Sequence, residues 1–289
     1  MFWQQVISGA AAGSIYALLA VAMVLIYKTT NIVNFAQGEM AMFTTFISYT
    51  FLFQLGQSYV VSLGLTLILS AVAGIITELL FMRPLRNAPG LNSIIVTLGL
   101  MLILNNLAAY IWGRDPLRFP SPVSEKPLKI ANLVISQLHL AIILVSGIVM
   151  LALYLFLKYS KEGTAMRAAI QNQRAALLMG IEIGRVFSLA WVVGTVIGAL
   201  AGMLTAPLLF LDYNMMFMVL LKAFAAAVLG GISSLPGAVV GGLTLGMGEN
   251  LIGGYLSSSF KDSLSFMLIV AVLLIRPTGI LGKAARKKV

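Results

Sequence analysis

KYSKEGTAMRAAIQNQRAALLMGIEIGR, residues 158–185, is the one long polar insert between apolar runs, and its charge sets how the chain is threaded. It carries Lys158, Lys161, Arg167, Arg174 and Arg185 against Glu162 and Glu182. Its middle is expected to form one short helix. Thr164 suits an N-cap, the residues up to Met179 are good helix formers, and Gly180 is a natural stop. On such a helix Arg167, Gln171, Arg174 and Leu178 share one face, while Ala168 and Ala175 leave a smooth surface. Two readings are open: a helix that docks into a groove on another protein, or a solvated loop helix that only joins two spans.

Outward from the insert the chain is apolar. Of 289 residues 60% are hydrophobic and 10% charged, with mean hydropathy +1.00. Runs of about 20 apolar residues recur from end to end, without the alternation of barrel strands. They fall at roughly 5–27, 37–53, 59–82, 91–112, 138–157, 186–211, 214–232, 237–256 and 262–276. The expected fold is an all-α polytopic integral membrane protein, a bundle of about eight or nine transmembrane helices, some broken or re-entrant. With no basic n-region or cleavage site, the first run is expected to be a retained span. There are no cysteines and one histidine, His139, so no disulfide, thiolate chemistry or metal cluster is expected. The net charge of +10 is better explained by cytoplasmic loops than by nucleic acid.

Arg83 and Arg86, the insert, and the tail from Arg276 to Lys288 are all rich in cations. If all three are cytoplasmic, residues 113–137 form an external loop, stiffened by Pro116, Pro120, Pro122 and Pro127. Parity leaves the N-terminal side open, because 28–40, KTTNIVNFAQGEM, reads as a partly inserted segment. Ala190, Gly194, Gly198, Gly202 and Ala206 recur every four residues, as do Gly9, Gly13 and Ala17, and Ala223, Ala227 and Gly231. Gly237 and Gly241 share that spacing. Such ridges let helix backbones approach closely in lipid, where no hydrophobic drive brings helices together.

Glu39, Glu78 and Glu249 lie in or near apolar runs, where each needs a protein partner or a water-filled cavity. Pairing with Arg83 is expected for Glu78, and Lys222 reads as a snorkelling helix end. Glu39 follows Asn31, Asn34 and Gln37, a cluster that breaks a span and either lines a substrate path or forms an interfacial loop. Glu249 reads equally as cavity lining or subunit contact. GGISSLPGA (230–238) is a tight turn or a re-entrant loop. No P-loop, H-E-x-x-H, serine triad, voltage-sensor ladder or potassium filter is present, so transport is the class that remains, not enzymatic catalysis.

Five stretches then carry a resemblance: IVNFAQGEMAMF (32–43), RPLRNAP with the following TLGL (83–100), GTAMRAAIQNQRAALLMGI (163–181), KAFAAAVLGGISSLPGAVVGGLTLGMGEN (222–250) and LLIRPTGILG (273–282). In this order they resemble the permeases of branched-chain amino acid ABC importers, the LivH/LivM family, and the short chain looks more like the LivH member. Gln37 stands where the family usually has His, and Ser233 where many members have Gly.

The resemblance implies a single permease domain over 1–289 that binds no cofactor itself. Its implied partners are a second, LivM-like permease or another copy of itself, two cytoplasmic ABC ATPase subunits that use ATP and Mg, and an external, periplasmic substrate-binding protein. The setting is the prokaryotic inner membrane, with the C-terminus and the insert cytoplasmic. It implies a coupling segment at 158–185, with Arg167, Ala168, Arg174, Ala175 and Gly180 at the ATPase. Asn34, Gln37, Glu39 and Glu249 are expected to line the path of a branched-chain amino acid, and Gly194, Gly198 and Gly202 to pack helices. Two other readings stay open: a urea or short-amide permease of the same family, and a stand-alone ion-coupled transporter.

Overall fold

The computed structural model describes residues 2–86, 88–124, 126–130 and 133–255, and beyond them 263, 267, 270–272, 274, 276 and 278–282. The run at 262–276 and the basic tail to Lys288 therefore lie largely outside the described residues. Contacts divide the chain into two compact units, one of residues 1–24, 121–147 and 219–289, the other of 25–120 and 148–218.

The second unit is built around a short helix. The first helix, α1 (Phe2–Thr30), ends where Asn31 takes φ +58°, and α2 (Gln37–Tyr49) starts after a non-helical link. Then follow α3 (Tyr59–Ile76), extended by a π-helical turn to Met82 and a 3-10 turn to Leu85, and α4 (Gly90–Trp112). Further along are α5 (Gln137–Tyr159), α6 (Lys161–Gln171), α7 (Gln173–Leu178) and α8 (Ile183–Leu209). α2 runs on as a π-helical turn to Gln54, and the 18 residues together reach about 27 Å. Its α-helical part packs on α3, α4 and α8, buried on nearly every side.

Small residues make that packing possible. A Cβ added at Gly202 of α8 would lie 2.6 Å from the Ala41 carbonyl oxygen, and one at Gly198 2.6 Å from Gln37 Nε2. The other side of α8 meets α3, where a Cβ at Gly74 would lie 2.9 Å from the Trp191 carbonyl oxygen. Hydroxyls tie α8 to α3, where Thr195 donates to the Ser70 carbonyl at 2.9 Å, and α2 to α3, where Ser48 and Ser62 bond at 3.0 Å. Trp191, Met40, Met82, Leu100, Ile26 and Ala36 fill the core. Apolar side chains such as Ile68, Leu102 and Ile148 remain exposed on α3, α4 and α5, the faces that lipid covers.

The first unit joins the start of α1, a hairpin of β1 (Leu128–Ile130) and β2 (Leu133–Ile135), the start of α5, and two further helices. These are α9 (from Met215 to Gly230, its first turn counted with the other unit) and α10 (Leu235–Tyr255). They meet at a 120° bend, where Gly231 adopts φ +104°. The α1–α10 crossing is backbone against backbone. A Cβ at Gly9 would lie 2.7 Å from Met247 Cα, and one at Gly13 2.7 Å from the Gly242 carbonyl oxygen.

Five helices among the described residues are long and apolar enough to cross a membrane, or six if the bent α9–α10 pair counts as one. The α2 run, which starts on Gln37 and Glu39, is not among them, and the run at 262–276 lies largely outside the described residues. One expectation needs correction. Glu78 pairs with Arg86, not Arg83, since the π and 3-10 turns after α3 wind the chain so that Arg86 returns to it.

Candidate functional site

The break between α1 and α2 is where a spanning segment gives up its helical hydrogen bonds, and side chains satisfy the exposed groups. The Asn34 side-chain Oδ1 accepts from the Ala36 N–H at 3.1 Å, which turns the chain into α2. The Asn34 amide donates to Gln37 Oε1 at 2.9 Å, and Gln37 Nε2 donates to the Gly194 carbonyl on α8 at 2.9 Å. Both side chains are fully buried, so this chain of bonds fastens the break to α8. The absence of a side chain at Gly198 leaves room for the Gln37 amide.

Glu39 lies in the first turn of α2, only 2% exposed. The helix N-terminus favours its carboxylate, yet Oε2 is buried without a hydrogen-bond partner among the described residues. Trp191 Nε1, in the core beside Ala36 and Met40, is likewise without one. A buried carboxyl oxygen is costly to leave without a partner. Asn34 and Gln37 are brought together, Glu39 sits one turn along, and Glu249 belongs to the other unit.

Glu249 of α10 is fully buried, and its Oε2 accepts from Tyr16 Oη at 3.1 Å and from Lys222 Nζ at 3.3 Å. The ammonium also sits 5.7 Å from the Tyr16 ring centroid. Lys222, at 9% exposure, is therefore an internal cation rather than a snorkelling helix end. The sequence signal was available: a lone cation and a lone anion in neighbouring apolar runs need each other. Nothing in the sequence singled out Tyr16.

The polar insert is a knuckle of two helices, not one. Ser160 caps α6 by accepting from the Gly163 N–H at 2.8 Å, in place of Thr164. Asn172 adopts φ −158° and ψ 104°, ends α6, and caps α7 through its side chain, which accepts from the Ala175 N–H at 3.1 Å. The expected shared face of Arg167, Gln171, Arg174 and Leu178 is thereby broken. Gly163, Met166 and Ala169 form the buried side of α6, while Arg167, Arg174, Ala175 and Gly180 are exposed and Ala168 partly so. Gly180, at φ +81°, closes α7. The tip shows what the sequence reading missed: Leu178 is 87% and Met179 83% exposed, with Leu177 beside them. Arg185 pairs with Glu162 at 3.0 Å, tying α6 to the start of α8. At that end of α8, Ser188 donates to Glu78 Oε2 at 2.7 Å, and the Arg86 guanidinium lies 4.8 Å from the Phe187 ring centroid.

Two buried polar centres in membrane helices, with an apolar knuckle on the polar insert, are features of a transporter subunit. The family model for the permease component of branched-chain amino acid transport systems matches residues 5–273. The high-affinity branched-chain amino acid transport system permease protein LivH of Salmonella typhimurium is 35% identical over 301 residues, covering 100% of this chain and 98% of the relative. BraD, the corresponding permease protein of Pseudomonas aeruginosa, is 33% identical over 307 residues, with the same coverage. A probable LivH of Methanocaldococcus jannaschii is 32% identical, over 93% of this chain and 89% of the relative. This chain is a multi-pass membrane protein that belongs to the family of branched-chain amino acid transport permeases.

Proposed function

We propose that the chain is the membrane permease of an ATP-driven importer that carries leucine, isoleucine and valine into the cell. The observation that carries this reading is the end-to-end similarity to LivH permeases at 35% identity. In this reading one permease domain, 1–289, pairs with a LivM-like permease or with another copy of itself in a prokaryotic inner membrane. Two cytoplasmic ATPases use ATP and Mg, and a periplasmic protein delivers the amino acid. The C-terminus faces the cytoplasm, and 113–137 faces outward.

The α6–α7 knuckle would be the ATPase contact. Leu177, Leu178 and Met179 supply an apolar tip for a groove, and Arg167, Ala168, Arg174, Ala175 and Gly180 surround or border it. Movement of the knuckle reaches α8 through Arg185 and Glu162, and α8 holds the α1–α2 break through Gln37. Asn34, Gln37 and Glu39 then line or brace the path within their unit, and alternating access follows as the helices rock.

The test is a mild-detergent pull-down of the chain from its native membrane, with ATPase activity measured on what accompanies it. Co-purification of a P-loop ATPase stimulated by a leucine-loaded binding protein supports the reading. A chain that purifies alone and moves substrate along an ion gradient overturns it. Leu178→Glu is expected to abolish ATP-driven uptake while leaving membrane insertion intact.

A further inference from the structure

We infer that Lys222, Glu249 and Tyr16 form a charge-exchange subsite for the ammonium-and-carboxylate head of the transported amino acid. This inference rests on the transport reading above. Three features of the first unit support it.

The first is that the pair has no evident packing task. The pair joins α9 to α10, and those helices already meet backbone to backbone at Gly230, Gly237 and Gly241. Buried ion pairs are commonly replaceable by apolar residues without loss of stability, so packing alone does not call for one there.

The second is the geometry. Both the Tyr16 hydroxyl and the Lys222 ammonium bond to the same oxygen of Glu249, at 3.1 and 3.3 Å. If Lys222 turns to an incoming carboxylate, Tyr16 still holds Glu249 in place, and the carboxylate of Glu249 is left to receive an ammonium. A zwitterion supplies both replacements together, whereas a neutral amide, or an ion of one sign, supplies at most one.

The third is placement. Lys222 and Glu249 stand on the two arms of the bent α9–α10 pair. A change in that bend would alter the distance between the two charges, so the pair lies where a rocking motion of the helices would be felt.

The experiment uses the assembled importer in proteoliposomes. Uptake of labelled leucine is measured in competition with isocaproate, which lacks the ammonium, and isoamylamine, which lacks the carboxylate. The wild-type importer is expected to take up leucine and to ignore both analogues. If it moves no branched-chain amino acid at all, the transport reading fails, separately from this inference. The double variant Lys222→Met with Glu249→Gln removes both charges together and avoids stranding either one. It is expected to assemble, yet to import leucine at about a tenth of the wild-type rate or less, the scale lost when a charged substrate meets unmatched polar groups. Assembly with unchanged KM and rate for leucine overturns the subsite. If the double variant fails to assemble, Tyr16→Phe decides: a several-fold higher KM for leucine supports the subsite, and an unchanged KM overturns it.

Discussion

Each unit buries a carboxylate in a membrane helix, and the two do so in opposite ways. Glu249 is saturated, with a hydroxyl and an ammonium on one oxygen. Glu39 has an oxygen with no donor among the described residues, although its neighbours Asn34 and Gln37 are bonded at both ends. The first centre is charge-balanced and closed, and the second is braced but incomplete. Equal depth of burial therefore does not mean equal function. What separates the two is whether the fold itself supplies the counter-group.

Breaking the closed centre should have the largest effect. Glu249→Leu removes the carboxylate that Lys222 and Tyr16 both bond to and is expected to cost about 3–5 kcal/mol, read as a large fall in the thermal unfolding midpoint in detergent. A midpoint near wild type would mean that the ion pair is not what holds this centre. Gln37→Ala removes its bonds to the Gly194 carbonyl and from the Asn34 amide, which keeps only the weak contact to Met40 Sδ, for an expected loss of about 1–3 kcal/mol in the same assay. Arg185→Ala, which removes a largely exposed pair with Glu162, should cost only about 0.2–1 kcal/mol, so any loss of coupling between ATP hydrolysis and uptake would come from transmission rather than folding. Glu39→Gln sharpens the contrast most, because its stability effect should be smallest. An amide is cheaper to bury than an unpartnered carboxylate, so the midpoint should hold or rise while leucine uptake falls. Normal uptake would show that the open oxygen is not used.

The sequence carried part of this arrangement. Small residues every four positions gave away the close helix crossings, and the polar run from Asn31 to Glu39 gave away a broken span. Gly180 read correctly as a helix stop, because only the φ > 0 ending of α7 suits a glycine so well. The division of the insert at Asn172 was hidden, since strong helix formers on both sides outvote one asparagine until its side chain is seen capping α7. Glu78 had two arginines within reach, and the choice of Arg86 depended on irregular turns that no periodicity predicts. Lys222 and Glu249 are 27 positions apart, on helices whose bend had to be known before the two could be paired. Local chemistry was legible, and partner choice was not.

The polar start of α2 has a consequence for biogenesis. A segment led by Gln37 and Glu39 is a poor substrate for lateral release from a translocon, where partitioning into lipid rewards long apolar stretches. Its polar side is covered only when α8 emerges, some 150 positions later in translation. Until then α2 has to wait at the channel mouth or the bilayer surface. Nascent chains halted before Ile183 should therefore leave residues 31–49 open to protease, and chains extended past Leu209 should protect them.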